Sequence, residues 1–201
     1  ARGRGWVSCM TIGDHCTWGY ARHNPNRKSV CQLLQYLVNA AAGEGNFLLN
    51  VGPKGDGSIV RDERVRLEAM GDWLAVNGEA IYGCRRCDLV GHGEPGIIDF
   101  SLLGPWTRKG QVGYWHIYRW PGREAVAQVV GTRALSAELL GAKGKLRLRQ
   151  EHNGRLVITG LPPRPPSPYV NVLKVRFADV PRRLAVKDLA AWLAGEAGRA
   201  S

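Results

Sequence analysis

The sequence lacks any apolar segment long enough to cross a membrane as a helix. It also has no recognisable signal peptide. The location of the protein is left open: secreted, periplasmic, lysosomal and cytoplasmic are all possible. Acidic residues are scarce, because 17 aspartates and glutamates stand against 28 lysines and arginines, for a formal net charge of +11. With 201 residues, 44% of them hydrophobic, the chain can form one or two globular domains without a membrane partner.

The basic excess comes without any RNA- or DNA-binding signature. The arginines and lysines are scattered through every segment, and in residues 145–149 they alternate with leucine, as the solvated face of a strand requires. We therefore predict a solvated basic surface and no nucleic-acid partner. A basic nucleic-acid-binding module is kept only as a third hypothesis for the function.

A second pair of metal ligands is also lacking. The number of cysteines is odd, so at least one has no disulfide partner within the chain: Cys9, Cys16, Cys31, Cys84 and Cys87. Cys84 and Cys87 have the spacing of a redox or zinc motif, but only His92 lies nearby as a further zinc ligand. A redox pair would open a helix after a strand, whereas this pair precedes a glycine-rich loop. We therefore predict ordinary or disulfide-linked loop cysteines and no metal site.

Two strand–loop–helix units occupy the first part of the chain. Residues 7–12 are predicted to form a strand, and residues 13–28 a long polar loop. Ser29 is placed as the N-cap of a helix whose apolar residues share one face: Val30, Leu33, Leu34, Leu37, Val38 and Ala41. This is the first unit.

The second unit begins with the short apolar run 47–51, which predicts a buried strand that Gly52 and Pro53 end. Asp62 and Glu63 then open a helical pattern, in which four apolar residues recur at helical spacing: Val65, Ala69, Trp73 and Val76. Two such units in succession indicate parallel strands with right-handed crossovers. The pattern alone fits a barrel and a doubly wound sheet equally well.

Beyond residue 83 the pattern becomes all β. The candidate strands, separated in two places by Pro-Gly and Asn-Gly turns, are residues 111–120, 124–130, 145–150, 155–159 and 170–177. They predict a small antiparallel sandwich. In the tail, Leu184, Leu189 and Trp192 have spacings that permit an amphipathic surface helix.

Two motifs in the first part of the chain resemble one enzyme family. Residues 45–57 have the sequence GNFLLNVGPKGDG, and residues 73–83 have the sequence WLAVNGEAIYG. They resemble the end of the catalytic barrel in α-L-fucosidases of glycoside hydrolase family 29, where a buried strand ends in Asn-x-Gly-Pro and a later helix in Asn-Gly-Glu-x-Ile-Tyr. The resemblance runs from about residue 6 to residue 177. It implies an α/β plus all-β fold: the last two βα units of a (β/α)8-like barrel, followed by a small antiparallel β-sandwich.

Four segments follow from this assignment. They are the C-terminal portion of the catalytic barrel (1–83), a linker (84–105), the β-sandwich (106–178) and a tail that permits a helix (179–201). Because a (β/α)8 barrel needs roughly 250 residues, six of its units are missing here. We therefore expect this chain to be a fragment of a longer protein whose N-terminal barrel segment precedes Ala1.

The resemblance implies a retaining glycosidase that removes terminal α-L-fucose from oligosaccharides or glycoconjugates, without a metal or organic cofactor. One carboxylate attacks the anomeric carbon and a second acts as acid and then base, the two being roughly 5 Å apart. The family carries its nucleophilic aspartate on an earlier strand, upstream of Ala1. No residue of this chain is therefore assigned that role, and the isolated fragment is expected to be inactive.

The acid/base is also unassigned. Many members of the family have Trp-Glu where this chain has Trp6-Val7, and valine cannot transfer a proton. Another residue supplies the acid/base, or hydrolysis has been weakened or lost, or position 7 carries a change peculiar to this chain. Asp14 is a candidate substitute that could equally cap its loop, whereas Glu44 falls in the turn at the opposite end of the barrel from catalysis.

Trp18 and Trp6 are the candidates for substrate binding, because an indole stacks on the apolar face of a deoxy sugar. Core packing is the alternative for both. Asn50 is expected to anchor the following Gly52-Pro53 loop through hydrogen bonds to the backbone. The alternative function is a non-catalytic carbohydrate-binding protein with a degenerate hydrolase fold, which lost its acid/base at Val7.

Overall fold

The computed structural model describes residues 5–14, 18–89 and 103–185. The chain divides into two compact units between Cys84 and Arg85. The first unit is α/β and the second is built from antiparallel strands. Within the described ranges, no helix is both long and apolar enough to span a membrane.

The first unit repeats the order strand, loop, helix. Its elements are β1 (Val7–Thr11), α1 (Val30–Ala42), β2 (Asn46–Asn50) and α2 (Arg61–Asn77). The two strands pair in parallel, each residue of β1 facing its counterpart in β2 in a register without shifts. Each strand is followed by a helix, as the sequence predicts for a βα fold.

Helix α1 begins at the predicted cap. The Ser29 hydroxyl accepts a hydrogen bond from the Gln32 N–H at 3.2 Å, and the Gln32 side chain accepts one from the Ser29 N–H at 2.8 Å. This capping box satisfies two N–H groups that the helix itself leaves without partners. Leu33, Leu34 and Val38 are completely buried, so the predicted apolar face is confirmed at these positions.

Replacing Ser29 with alanine is expected to cost about 1 kcal/mol of unfolding free energy, because the cap loses its acceptor. Urea unfolding of the two proteins measures this difference. The control is Ser58→Ala. Ser58 is exposed and its hydroxyl donates a hydrogen bond to the nearby Asp56 carboxylate, so this variant tests whether the loss of any serine has the same effect. An equal loss in both variants would contradict a specific capping role.

Helix α2 buries only part of the apolar set that recurs at helical spacing, since Trp73 is buried and Val65 and Val76 are not. Met70 and Trp73 are buried as expected of a core face, but Val65 and Val76 are 49% and 50% exposed. The other buried positions are polar, Glu63 and Asn77. The apolar residues of α2 are distributed over two sides of the helix, so helical spacing alone could not identify which side packs.

The described residues of the second unit, 85–89 and 103–185, form eight strands. They are β3 (Arg85–Arg86), β4 (Trp106–Lys109), β5 (Val112–Ile117), β6 (Glu124–Ala127), β7 (Ala134–Leu139), β8 (Arg147–Gln150), β9 (Leu156–Thr159) and β10 (Asn171–Phe177). One antiparallel sheet has the order β3-β4-β5-β10-β7, and the other has the order β6-β9-β8. Their buried residues form one core, so the predicted antiparallel sandwich is confirmed.

Three strands were not expected from the sequence. The residues of β7 alternate poorly and include Ala134, Ala137 and Glu138, which have low strand propensity. Strands β3 and β4 pair with each other, so part of the predicted linker belongs to the sheet. Residues 90–102 of that linker lie outside the described part of the chain.

The beginning of the tail is joined to the second unit by backbone hydrogen bonds. The Gly131 N–H donates to the Arg182 carbonyl at 2.9 Å, and the Leu184 N–H donates to the Val129 carbonyl at 2.7 Å. A Cβ at Gly131 would lie 2.8 Å from the Leu184 nitrogen, so glycine permits this close approach. The predicted tail helix falls mostly on residues 186–201, which lie outside the described residues.

Candidate functional site

The carboxyl ends of β1 and β2 lie side by side because the strands are parallel. In α/β folds, ligands bind at this end of the strands. We call it the carboxyl edge and its opposite the amino edge. Two loops leave the carboxyl edge: the first loop (residues 12–28, without a description of 15–17) and the second loop (residues 51–60). They are the place to look for function in the first unit.

The first loop presents two aromatic side chains to solvent. Trp18 is 53% exposed and Tyr20 is 41% exposed. The side-chain amide of Asn50, the last residue of β2, donates a hydrogen bond to the Trp18 carbonyl at 2.8 Å. Asn50 thus holds the first loop, and the expectation that it anchors the Gly52-Pro53 loop is wrong in this respect.

The two loops also touch through their backbones. Gly52, in the second loop, is buried. A Cβ at this position would lie 2.7 Å from the Gly19 carbonyl oxygen and 2.9 Å from the Tyr20 nitrogen. Any larger residue would push the segment next to Trp18 away from β2. The glycine of the Asn-x-Gly-Pro motif is therefore required for this approach.

A buried ion pair joins the first loop to helix α2. Arg27 Nε lies 3.3 Å from Glu63 Oε1, and the two side chains are only 9% and 6% exposed. The other oxygen, Glu63 Oε2, accepts a hydrogen bond from the Gly52 N–H at 3.1 Å. One carboxylate therefore binds both loops. The sequence indicated Glu63 only as a helix-opening residue, since nothing local shows that Arg27 lies beside it.

Asp14 lies on the carboxyl edge, immediately after the strand-ending turn. Its carboxylate is 3.4 Å from Lys28 Nζ, and its side chain is 44% exposed. Its carbonyl accepts a hydrogen bond from the side chain of Asn24 at 3.1 Å. Asp14 thus lies on the carboxyl edge and contacts Lys28 and Asn24, and its role in catalysis stays a prediction.

Val7, Trp6 and Glu44 lie at the amino edge instead. Val7 is the first residue of β1, and a rise of about 3.3 Å per residue puts it roughly 13 Å from the last residue of that strand. The Trp6 indole donates to the Gly43 carbonyl at 2.9 Å, and its ring fills the space beside Gly45 where a Cβ would stand. Trp6 and Trp18 are therefore not brought together, and Trp6 packs on the turn before β2.

The structure forms no disulfide among the cysteines it describes. The Cys84 thiol lies 3.4 Å from the Glu79 carbonyl, whereas Cys87 is buried in the core of the second unit. Burial raises the pKa of the Cys87 thiol to about 12, which keeps it protonated and unreactive. The disulfide-linked alternative for this pair is therefore wrong. Cys16 lies outside the described residues.

Among the described residues, no three histidine, cysteine or acidic side chains lie close enough together to hold a metal ion. The carboxyl edge presents the exposed aromatic rings of Trp18 and Tyr20, and the amide of Asn50 lies beside them. Such groups suit a neutral, hydroxylated ligand with an apolar face. This is the chemistry that the geometry of the first unit offers.

Comparison with known proteins gives one consistent result. The family model described as "Alpha-L-fucosidase" matches residues 1–79. Tissue alpha-L-fucosidase from Bos taurus is 31% identical over 167 residues, which cover 81% of this chain and 34% of that protein. The chain thus spans about a third of the length of the curated relatives it matches.

Solved structures agree with this match. Alpha-L-fucosidase isoenzyme 1 from Paenibacillus thiaminolyticus has a TM-score of 0.72 and 28% identity, covering 87% of this chain and 40% of its own. A family 29 enzyme from Bacteroides thetaiotaomicron, trapped as a covalent intermediate with 2-fluoro-fucosyl fluoride, has a TM-score of 0.70 and 25% identity, over 86% of this chain and 38% of its own. The likeness extends over both units of the chain.

Proposed function

Because this chain is related to the α-L-fucosidases of glycoside hydrolase family 29 along 81% of its length, we propose that it forms the C-terminal part of a retaining α-L-fucosidase. The substrate is a terminal α-L-fucose on an oligosaccharide or glycoconjugate. The observation that carries the proposal is the carboxyl edge, where Asn50 fixes the loop that presents Trp18. A trapped covalent intermediate in the Bacteroides relative supports double displacement.

The proposed task of this chain is to bind and orient the sugar. The indole of Trp18 offers a broad apolar surface on which the face of fucose that carries the methyl group can stack. Tyr20 adds a second exposed aromatic group two residues away. The nucleophile belongs to the barrel segment that the relatives possess and this chain does not span. It attacks the anomeric carbon, and water then releases fucose from the glycosyl-enzyme.

The acid/base is proposed to be a residue other than the one at position 7. Val7 lies at the amino edge, roughly 13 Å along β1 from the edge where barrel enzymes perform catalysis. The absence of a carboxyl group at position 7 therefore gives little support to the alternative of a non-catalytic protein. Asp14 stays a candidate because it lies on the carboxyl edge.

Hydrolysis of an aryl α-L-fucoside by the gene product that includes the preceding barrel segment tests the proposal. The parent protein is expected to turn the substrate over, since a good leaving group needs little acid assistance. Val7→Glu is expected to change kcat/KM by no more than about threefold, because the new carboxylate would stand far from the reacting bond. A gain of about a hundredfold would contradict the placement of position 7.

Trp18→Ala in the same protein is expected to raise KM about tenfold, the loss of one aromatic stacking contact. The matched control is Tyr82→Ala, which removes an aromatic side chain that is 63% exposed and follows α2 at the amino edge.

If the parent protein does not hydrolyse the aryl fucoside, yet fucose raises its melting temperature, the carbohydrate-binding alternative replaces the enzyme.

A further inference from the structure

We infer that Glu63 is a positioning residue, whose single carboxylate sets both loops of the carboxyl edge and thereby the place of the Trp18 indole. The role of Trp18 in substrate binding rests on the proposed function, whereas the contacts of Glu63 do not depend on it. Each carboxylate oxygen has a different partner: Oε1 lies 3.3 Å from Arg27 Nε, and Oε2 accepts from the Gly52 N–H at 3.1 Å. The two partners belong to different loops.

Arg27 transmits this contact into the first loop. Its guanidinium donates hydrogen bonds to the carbonyls of Asn24 and Asn26, and its backbone forms an antiparallel bridge with Gly13. Gly13 immediately follows the residues that leave β1. The ion pair therefore holds the end of the first loop, residues 24–27, against Gly13 at its beginning.

Gly52 transmits the contact into the second loop. With its N–H bound to Glu63, the residue packs against the backbone of Gly19, where not even a methyl group would fit. Gly19 is bonded directly to Trp18, whose carbonyl is held by Asn50. The backbone that carries the indole is thus held at the Trp18 carbonyl by Asn50 and at Gly19 by Gly52, which the Glu63 carboxylate binds.

The charge of Glu63 matters because both members of the pair are withdrawn from water, at 9% and 6% side-chain exposure. A neutral side chain would leave a buried guanidinium without its counter-ion, and the loop would rearrange to hydrate it. Glu63 also lies in the first turn of α2, a 17-residue helix, which gives the carboxylate a fixed base and a favourable helix dipole. The carboxylate thus binds both loops from a fixed position on the helix.

Glu63→Gln, made in the gene product that hydrolyses the fucoside, is the first test. We expect KM to rise about tenfold, because the substrate platform moves. We expect kcat to change less than about threefold, because the nucleophile is proposed to lie in the preceding barrel segment and an aryl leaving group needs little acid assistance. The matched control is Glu68→Gln, on the same helix, which removes an exposed ion pair with Arg64. The control is expected to leave both constants unchanged.

Hydrogen exchange of the same proteins gives a readout that does not depend on activity. In Glu63→Gln, the amides of residues 18–28 and 51–56 should exchange faster, whereas those of helix α1 should not. If the parent protein fails to hydrolyse the fucoside, the proposed function is lost, but this measurement still decides whether Glu63 ties the loops. Unchanged exchange in both loops would overturn the inference.

A second variant separates positioning from simple destabilisation. Replacing Arg27 and Glu63 together by glutamine leaves no unpaired buried charge, and the two amides can bond to each other. The double variant is expected to have a KM between those of the parent and Glu63→Gln. A KM higher than that of the single variant, with stability restored, would contradict a role for the pair in placing the loops.

Discussion

Lowering the pH from 7 to 4.5 is expected to destabilise the second unit by roughly 3 kcal/mol through His116 alone. His116 lies on β5 and is completely buried, and this burial lowers the pKa of its imidazole from 6.5 to about 3. Its Nε2 is 3.0 Å from the Thr107 hydroxyl, whereas Nδ1 is buried and has no hydrogen-bond partner among the residues that the structure describes. The Thr107 hydroxyl carries no negative charge that would stabilise the protonated ring.

The sign follows from the two pKa values. Above pH 6.5 the ring is neutral in the folded and unfolded chains, so it contributes no pH dependence. Between pH 6.5 and 3 only the unfolded chain binds the proton, and the unfolding free energy falls by about 1.4 kcal/mol per pH unit. Stability contributed by the neutral ring is thus present at pH 7 and lost on acidification.

Denaturant unfolding at several pH values measures this slope. Because carboxylates also titrate in this range, the decisive quantity is the difference between the parent and His116→Gln, which cannot bind the proton. The variant is expected to have the shallower slope, whatever its stability at pH 7. His152→Gln, which removes an exposed histidine of the same unit, is the control for the substitution itself. Equal slopes in all three proteins would disprove the role of His116.

Phe177→Ala is expected to lower the unfolding free energy by about 3–5 kcal/mol, the usual cost of emptying a large aromatic position in a core. Phe177 ends β10, is completely buried, and lies with its ring centroid 6.2 Å from that of Trp106. Its ring also fills the space above Gly113, where a Cβ would come within 3.0 Å. No neighbouring side chain can take this place without leaving its own.

Urea unfolding followed by tryptophan fluorescence detects the loss, since the stacked pair Trp106 and Trp115 belongs to the same core. Leu135→Ala is the control, because Leu135 lies on strand β7 of the same sheet but is 49% exposed. Its effect is expected to stay within about 0.5 kcal/mol. A loss in Phe177→Ala no larger than in the control would show that the sandwich core repacks freely.

Much of the fold could be predicted from local patterns. A buried strand was expected over 47–51. Strand β2 forms over Asn46–Asn50, but the predicted burial is wrong, since Leu48 is 50% exposed. The cap of α1 was expected and found at Ser29. These features depend on residues a few positions apart, so a short window of sequence contains their cause. Strand β7 could not be found in this way, because its pairing with the distant β10 stabilises residues with low strand propensity.

The candidate site was harder to predict than the fold. Trp18 and Trp6 were proposed together because both flank the first strand, yet they lie at opposite edges of it. The position of an indole depends on contacts that are distant in sequence. The Trp6 indole binds the Gly43 carbonyl, in the turn before β2, which is 37 residues further along the chain.

By itself, the sequence determined that this protein has two βα units followed by antiparallel strands, and its motifs determined the α-L-fucosidase relationship. Periodicity and short motifs act over one element, where backbone geometry alone relates one residue to the next. Only the tertiary structure decided which face of α2 is buried, that Asn50 binds Trp18, and that Glu63 joins both loops. These contacts connect residues 11 to 36 positions apart, and their energies depend on burial that exists only once the elements have packed.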